Sequence, residues 1–345
     1  MARTLRRPAL PLVPRGPGRA ASRLLAAALT ALATVASPAA QAQEKFVYQT
    51  NWYAQAEHGG FYQAIALGLY KKAGLDVSIR MGGPQLNILQ MMVAGQADCI
   101  MTSDLAMLNA RNTGVPVMTV ASVFQKEPQV LIGHEDVKSF ADLKGKTILI
   151  GAGSHRTFWP WLKAKYGLDD SQVRPYTFNV QPFILDKNAV QQGFLTSEPF
   201  ALQRQNVRHN VLMFTPELGY PAYNTTIACM EKTVKERTKA VEAFVRASME
   251  GWKSYLENPA PANELIRKDN PNMTAEQLAY SVAKLKEMQI VTGGDAQRLG
   301  IGTITAERLK ASYDMLVQHK IIDPAKVDLA STYTLDIIKG IRVMP

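Results

Sequence analysis

The sequence contains few of the residues that metal and redox chemistry use. Its 345 residues include two cysteines and five histidines, with no C-x-x-C pair. No other metal-ligating residue stands at ligand spacing from His58, so we predict no metal site. The sequence also lacks a G-x-S-x-G elbow, a G-x-x-x-x-G-K-[ST] phosphate loop and a nucleophile beside a base. We therefore expect no cofactor and no enzymatic activity.

The sequence has no apolar run that is long enough to cross a membrane. Residues 24–36 form a run of thirteen, which is shorter than the roughly 20 residues that span a bilayer. Six arginines precede this run, and residues 40–42 have the A-x-A form of a cleavage site. These features predict that residues 1–42 are a signal peptide for Sec export to the periplasm, with Gln43 first in the mature protein.

Little net positive charge remains once that segment is set aside. The chain has 39 Lys and Arg against 29 Asp and Glu, a formal net charge of +10. Six of the basic residues precede Gln43, so the remaining 33 exceed the acidic residues by four. No cluster of Lys or Arg lies beside aromatic residues, which argues against nucleic acid as a partner.

A polar, glycine-containing junction stands near the mature start. A predicted strand at residues 45–50 leads into Asn51, Trp52, His58 and Gly59, and then into a helix. Glycine at such a junction lets a ligand approach the backbone, and the N–H groups at a helix start point outward. Residues 75–81 alternate in polarity and predict the next strand. This order is typical of an open α/β sheet, where ligands bind beyond the C-terminal ends of strands.

Two later segments share one pattern. In residues 88–108, a predicted helix and a short strand lead to Ser103, before a second helix begins. In residues 189–205, a predicted helix and a short strand lead to Glu198, where another helix begins. This repetition favours two lobes of like topology that face a shared cleft, and coincidence is the alternative.

The rest of the chain also fits two lobes. We predict strands at residues 117–123, 129–133, 147–150 and 224–230, and helices at residues 234–257, 262–268, 275–289 and 306–318. The chain then crosses between the lobes twice, near residues 124–128 and 216–223.

Together the motifs resemble a known family. The most specific are Asn51-Trp52 with His58-Gly59, and the runs at residues 74–77, 94–98, 114–117 and 142–146. In this order the mature chain resembles the substrate-binding proteins of ABC importers of the NMT1/THI5-like group. The resemblance implies the type II periplasmic-binding-protein fold: two α/β lobes joined by a two-strand hinge, with a ligand cleft between them. Lobe 1 is then residues 43–125 and 222–345, and lobe 2 is residues 126–221.

The resemblance also implies partners and site residues. The partners are a small solute and a membrane permease with its ATPase subunit, and the binding protein is expected to be a monomer. In the thiamine-related branch, the Asn-Trp pair and the His line a pyrimidine site, and an acid in the second lobe binds the ring. These roles carry over to Asn51, Trp52, His58 and Glu198.

The same family contains fungal synthases of the thiamine pyrimidine. They use a lysine and, four residues on, a histidine. Thr102 and Ala106 stand at the matching positions of this sequence. The resemblance to an enzyme therefore fails at the residues that carry its chemistry.

Each candidate in the first lobe has a structural alternative. Trp52 suits stacking on a ring, although it could instead seal a lobe core. Asn51 suits a heterocycle edge or braces the turn, and His58 donates to a ligand or caps the helix. Ser103 likewise contacts a ligand or caps its own helix.

A glycine-rich turn supplies the candidates in the second lobe. Gly153, Ser154 and Arg156 precede a predicted helix and suit a carboxylate, sulfonate or phosphate group. Glu198 suits a ring amine, and capping of its own helix is the alternative.

Cys99 and Cys229 are the two cysteines of the chain. In the topology that the resemblance implies, they lie on antiparallel neighbouring strands of the first lobe. A disulfide is one hypothesis, and a pair of small buried thiols is the other.

We therefore predict a periplasmic solute-binding component of an ABC importer, which captures a small heterocyclic, thiamine-pyrimidine-like solute by lobe closure. Two alternatives stay open. One is a binder of an anionic organic solute such as a sulfonate, nitrate or an aromatic acid, with Arg156 as the counter-charge. The other is a relic of a pyrimidine synthase-like enzyme, or a sensor.

Overall fold

Ten β-strands form two five-stranded sheets in the part of the chain that the computed structural model describes, residues 9–12 and 43–345. The predicted signal peptide, residues 1–42, lies outside the described residues except for 9–12. The strands are β1 (Glu44–Gln49), β2 (Leu75–Arg80), β3 (Cys99–Ser103), β4 (Val117–Phe124), β5 (Gln129–Gly133), β6 (Thr147–Ile150), β7 (Val173–Pro175), β8 (Ala189–Phe194), β9 (Asn210–Met213) and β10 (Asn224–Met230). Residues Gln43–Pro345 are one compact unit.

The first sheet has the strand order β2-β1-β3-β10-β4. β1 pairs in parallel with β2 and β3, whereas β10 is antiparallel to both β3 and β4. Val77 and Ile79, from the alternating segment, pack on the first core from β2. The strands predicted at residues 45–50 and 75–81 are therefore confirmed, with ends that differ by one residue.

The second sheet repeats this arrangement with the order β7-β6-β8-β5-β9. β6 is parallel to β7 and β8, and β5 is antiparallel to β8 and β9. In each sheet the antiparallel strand is the one that the chain enters on arriving from the other sheet. The predicted fold class, two α/β lobes of like topology, is confirmed.

The chain crosses between the sheets twice. The first crossing joins Phe124 at the end of β4 to Gln129 at the start of β5, and the second joins Met213 to Asn224. The predicted lobe boundaries, at residues 125/126 and 221/222, fall inside these crossings and stay a prediction.

Arg308 ties the two crossings together. Its guanidinium donates hydrogen bonds to the carbonyl oxygen of Gln125 in the first crossing, at 2.6 Å, and to those of Pro221 and Ala222 in the second, each at 2.7 Å. It also lies over the ring of Tyr223, 4.0 Å from the centroid. Charge-assisted bonds of this kind are strong, so Arg308 fixes the spacing of the crossings.

Helices connect the strands and make up most of the chain after β10. The α-helices are Gly59–Ala66, Leu69–Lys72, Ile88–Val93, Asp104–Asn112, Phe158–Tyr166, Gln181–Leu185, Glu198–Gln203, Glu231–Glu236, Thr238–Glu257, Ala260–Asp269, Ala275–Glu287, Ala296–Leu299, Ala306–Gln318 and Asp336–Lys339. Short 3₁₀ turns lie at Ala56–His58, Phe140–Leu143, Ala152–Arg156, Asp170–Gln172, Pro216–Leu218 and Leu329–Ser331. None of the described helices has the length and apolarity needed to cross a membrane.

The helix predicted near residue 189 is wrong, because residues Ala189–Phe194 form strand β8. β8 pairs with β6 on one side and β5 on the other, and its residues are almost all buried. A strand that is buried on both faces shows no alternation of polarity, and its two glutamines resemble a helical segment. The helix starts after Ser103 and at Glu198 are confirmed, and the Ser103 hydroxyl accepts a hydrogen bond from the N–H of Ala106 at 3.2 Å.

The two cysteines lie on neighbouring strands of the first sheet. Cys99 on β3 faces Cys229 on β10 in the antiparallel register, and a disulfide joins them. The disulfide hypothesis is therefore confirmed over that of two free thiols.

One cluster of buried apolar side chains extends from one lobe into the other. Leu105 and Leu108 of the helix Asp104–Asn112 pack with residues of the second sheet. Leu316, from the helix Ala306–Gln318, belongs to the same cluster. The C-terminal part of the chain, predicted to belong to lobe 1, thus also contacts the core of lobe 2.

Candidate functional site

A cleft lies between the two sheets, at the C-terminal ends of their parallel strands. Asn51 and Trp52 lie just beyond β1, Ser103 ends β3, Gly151 follows β6 and Phe194 ends β8, and all five line the cleft. It holds about 1180 Å³, including its open mouth. Ligands of α/β proteins bind at this edge of a sheet, so the cleft is the candidate site.

The structure places most of the predicted site residues at this cleft. Eight of the nine line it: Asn51, Trp52, His58, Ser103, Gly153, Ser154, Arg156 and Glu198. Gly59 lies outside this lining, and a ligand contact there stays a prediction. A Cβ at Gly59 would lie 2.1 Å from Cε1 of Tyr255. The missing side chain therefore lets the helices Gly59–Ala66 and Thr238–Glu257 pack closely.

Trp52 forms an aromatic wall that reaches across the cleft. Its ring centroid lies 6.1 Å from that of Tyr176, with 17° between the planes, and 6.0 Å from that of Phe178, at 89°. Both partners follow β7 in the second lobe. A flat, largely apolar surface of this kind suits a ring ligand.

Hydrogen bonds also join the lobes across the cleft. The N–H of Ala152 donates to the carbonyl oxygen of Pro84 at 2.8 Å. The Asn109 amide donates to the carbonyl oxygen of Arg156 at 3.0 Å. The structure is therefore a closed conformation, with both lobes in contact around the cleft.

Glu57 is a buried acid on the first-lobe side of the cleft. Its side chain is 1% exposed. Its Oε1 accepts a hydrogen bond from the hydroxyl of Thr196 in the second lobe, and its Oε2 has no partner in the described part of the chain. Burial, helped by the negative charge of Glu198, raises the pKa of Glu57 to about 7.

Glu198 is the buried acid on the second-lobe side. Its Oε1 accepts a hydrogen bond from the Tyr176 hydroxyl, and its Oε2 accepts one from the N–H of Phe194, each at 2.8 Å. Burial raises its pKa. Its own lobe holds both oxygens, so this carboxyl group has a fixed position in the cleft wall.

Two neighbours of Glu57 add further polar atoms. The buried Oε1 of Gln55 and Nδ1 of His58 have no hydrogen-bond partner within residues 43–345. Burial lowers the pKa of His58 to about 3, so its imidazole is neutral near pH 7. His58 occupies the N-cap position of the helix Gly59–Ala66, although its side chain makes no capping hydrogen bond.

The glycine-rich turn folds around the side chain of Gln192. Gln192 Oε1 accepts hydrogen bonds from the N–H of Gly151 and the hydroxyl of Ser154, each at 2.6 Å. The expected anion-binding donors at this turn are therefore partly engaged within the lobe. Arg156 is half-buried, and its Nη2 donates to Oδ1 of Asn87 at 3.3 Å.

Sequence reasoning missed several polar residues that line the cleft: Glu57, Gln129, Gln192 and Asn224. Gln129 and Gln192 stand on buried strands. A polar residue in an otherwise apolar strand is the signal that could have indicated them as site residues. Glu57 lies in the junction after β1 that was predicted to form the site. An acidic residue just before a helix is also typical of a helix start, so Glu57 was not singled out. Asn224 opens the strand that returns from the second lobe and gives no local signal.

The cleft offers stacking and hydrogen bonding. Within residues 9–12 and 43–345, no group of three or more His, Cys, Asp and Glu side chains is placed to hold a metal ion. Neutral His58 leaves Arg156 as the cation among the described side chains that line the cleft. Its lining is therefore rich in acceptors and poor in positive charge.

Two α/β lobes closed over such a cleft define the fold of substrate-binding proteins of ABC importers. The alkanesulfonate-binding protein SsuA from Xanthomonas axonopodis pv. citri, solved bound to MOPS, superposes with a TM-score of 0.62. The match covers 85% of this chain and 98% of SsuA, with 14% sequence identity. At this identity the likeness shows the fold alone.

The chain belongs to the NMT1/THI5-like family, whose sequence profile matches residues 55–262. The riboflavin-binding protein RibY of Chloroflexus aurantiacus is 28% identical over 270 residues, which are 74% of this chain and 76% of RibY. A formylaminopyrimidine-binding protein of Halalkalibacterium halodurans is 26% identical over 235 residues, 66% of this chain and 71% of that protein. The family resemblance that the motifs indicated is confirmed.

A shorter match links the chain to an enzyme. The 4-amino-5-hydroxymethyl-2-methylpyrimidine phosphate synthase of Schizosaccharomyces pombe is 24% identical over 147 residues, 41% of this chain and 42% of the synthase. The relatives that match most of the chain are named as binding proteins.

Proposed function

We propose that this protein captures a small nitrogen heterocycle in the periplasm and delivers it to an ABC importer. One observation carries the proposal: two buried carboxyl groups, Glu57 and Glu198, line the cleft beside the aromatic wall of Trp52. Ring N–H and amine groups would donate to oxygens on this lining while the ring covers the indole.

The names of the relatives support a pyrimidine-containing solute. Formylaminopyrimidine is a substituted pyrimidine, and the ring system of riboflavin includes a fused pyrimidine. Both present nitrogen atoms along one edge of a flat ring. Such an edge suits the amide, imidazole and carboxyl groups that line the cleft.

The proposed mechanism is hinge closure without chemistry. The solute first meets Asn51, Trp52 and His58, and the second lobe then folds over it with Glu198. Water leaves the cleft, and hydrogen bonds gain strength in the drier site. A Kd of about 1 μM corresponds to roughly −8 kcal/mol, which one stack and a few hydrogen bonds can supply. The closed form then docks on the permease, where ATP hydrolysis drives release.

A thermal-shift screen with calorimetry of the hits tests this proposal on the purified protein without residues 1–42. The compounds are 4-amino-5-hydroxymethyl-2-methylpyrimidine, riboflavin, a short alkanesulfonate and benzoate. We expect a rise in Tm with the first or second compound, and recovery of that compound unchanged. No shift with either heterocycle, or its conversion by the protein alone, would overturn the proposal. Permease and ATPase genes beside this gene would separate import from sensing.

An anionic organic solute is the second candidate. Arg156 supports it, because the side chain lies at the cleft beside the glycine-rich turn. The partial engagement of that turn by Gln192 weighs against it. A Tm rise with the sulfonate or benzoate, and none with the heterocycles, would make this candidate the preferred one.

A further inference from the structure

We propose that Glu57 selects solutes that present an N–H donor, and that the same carboxylate couples this selection to lobe closure. The inference rests on the proposed function, since it concerns the solute of the same cleft. It assigns one task to each carboxylate oxygen. Oε2 recognises the solute, and Oε1 holds the second lobe through Thr196.

The recognition task follows from an unpaired buried oxygen. Glu57 is 1% exposed and lines the cleft, yet its Oε2 has no hydrogen-bond partner in the described chain. An unsatisfied buried polar atom is costly, and more so when it is charged. A donor on the bound solute would remove this cost, so the closed cleft favours a solute that brings one.

The neighbouring side chain of Gln55 narrows the chemistry. Its Oε1, which accepts but cannot donate, is also buried at the cleft without a described partner. An amino group carries two hydrogens, so a single such group can donate to two acceptors. A carbonyl edge or an anionic group would place lone pairs against the same oxygens and be repelled. The geometry therefore points to a ring that carries an amino group on the edge facing Glu57.

The coupling task follows from where Thr196 lies. It stands between β8 and the helix Glu198–Gln203 in the second lobe, and it is fully buried. Its hydroxyl donates to Glu57, and its carbonyl oxygen accepts a hydrogen bond from the hydroxyl of Ser281 at 2.6 Å. Ser281 belongs to the helix Ala275–Glu287, after the second crossing. Both contacts need the lobes to be closed, so a correctly oriented Glu57 carboxylate favours the closed state.

The experiment compares two ring probes that differ at one position. The first is 4-amino-5-hydroxymethyl-2-methylpyrimidine, and the second is its 4-oxo analogue, in which a carbonyl replaces the amino group and the ring nitrogen N3 carries the hydrogen. The donor at position 4 thus becomes an acceptor, and the two probes differ in where along this edge the donor lies. Calorimetric Kd values are measured at pH 8, where Glu57 is charged. The variants are Glu57→Gln, Thr196→Val and, as a matched control on the exposed surface, Glu236→Gln.

We expect the native protein to bind the amino probe about 10-fold or more tightly than the oxo probe, because a mismatched buried donor or acceptor is costly. Glu57→Gln keeps an acceptor for Thr196 but turns a donor toward the solute, so it should reverse this preference. Thr196→Val should weaken both probes by a similar factor and leave their ratio unchanged. The control should match the native protein. Should Glu57→Gln not fold, Glu57→Asp replaces it and should weaken the amino probe more than the oxo probe.

The two proposals fail in different ways. Should both probes bind and Glu57→Gln leave their ratio unchanged, Glu57 does not select the donor, and the proposed function stands. A change of ratio in Thr196→Val would show that the two oxygens do not have separate tasks. Should neither probe nor any other heterocycle bind the native protein, the proposed function is overturned, and the role of Glu57 in selecting a heterocycle is overturned with it.

Discussion

Trp52 of the first lobe stacks on Tyr176 of the second, with 6.1 Å between ring centroids and 17° between ring planes. The same Tyr176 donates its hydroxyl hydrogen to Glu198 at 2.8 Å. The stack therefore connects three features: the contact between the closed lobes, the aromatic surface of Trp52 and the position of Glu198. A change at Trp52 should affect solute binding through each of these features.

Replacing Trp52 by alanine should weaken solute binding by about 1–3 kcal/mol, because the variant loses a stacking surface and an interlobe contact. Calorimetry with the solute found by screening measures the loss. Tyr53→Ala is the comparison, since Tyr53 packs on Phe178 of the second lobe but does not line the cleft, and it should therefore lose an interlobe contact without a stacking surface for the solute. Equal affinities in the native protein and Trp52→Ala would remove Trp52 from the site.

A methyl group at Gly151 should hinder closure. An added Cβ there would lie 3.2 Å from the Trp52 ring and 3.2 Å from the carbonyl oxygen of Pro84, both on the first lobe. We expect Gly151→Ala to lower affinity by about 1 kcal/mol, as a modest overpacking effect, with little change in unfolding. Gly153→Ala adds the same methyl in the same turn, where nothing lies within 4 Å, and should cost less. Equal losses in the two variants would contradict a steric effect on closure.

Local patterns predicted most of the fold. The alternation in Leu75–Arg80 and the apolar run in Thr147–Ile150 indicated strands that the structure contains. The two crossings between the lobes also fall where the apolar pattern of the predicted strands is interrupted. The error at β8 arose because this strand is buried on both faces, so its polarity does not alternate. Burial of this kind depends on neighbours distant in the sequence.

The candidate site could be predicted only in part. Asn51 and Trp52 follow β1 closely and His58 directly precedes the next helix, so the local pattern marks all three. Tyr176 stacks on Trp52 because lobe closure brings the second lobe against the first, and no local signal shows this. Gln192 likewise becomes a site residue when its side chain accepts hydrogen bonds from the turn after β6.

Loss of the disulfide between Cys99 and Cys229 should destabilise the first lobe. The bond closes a loop with a sequence separation of 130 residues, and disulfides typically stabilise proteins by about 2–4 kcal/mol. We expect a loss of this size in the double variant Cys99→Ala/Cys229→Ala, measured by urea unfolding. Thiol titration of the denatured, unreduced protein should find no free thiol, and two reactive thiols would exclude the bond.

Arg308 should control closure from outside the cleft. Arg308→Ala leaves the carbonyl oxygens of Gln125, Pro221 and Ala222 without their charged donor, and we expect it to cost about 2–4 kcal/mol of stability. Solute affinity should also fall, although Arg308 does not line the cleft, because the two crossings lose their common partner. Arg298→Ala, which removes an exposed arginine that forms a surface ion pair, is the control. An unchanged affinity in Arg308→Ala would show that the crossings are held independently of it.

Protonation of Glu57 should make stability depend on pH in a direction opposite to that of most acids. Its pKa rises from 4.5 to about 7 on folding, so between these values the folded protein retains a proton that the unfolded chain releases. Native stability from this group is therefore greatest below pH 4.5 and is lost as the pH rises through 7. The shift corresponds to about 3 kcal/mol at most.

Other buried groups titrate in the same range, so the native pH profile alone does not isolate Glu57. Burial also raises the pKa of Glu127 to about 7 and that of Asp104 to about 6, and it lowers the pKa of His58 to about 3. Comparison with Glu57→Gln removes these shared contributions. We expect urea unfolding to show that the native protein loses about 2–3 kcal/mol relative to the variant between pH 5 and pH 8. Parallel profiles of the two proteins would mean that Glu57 is charged across this range, with a donor already paired to its Oε2.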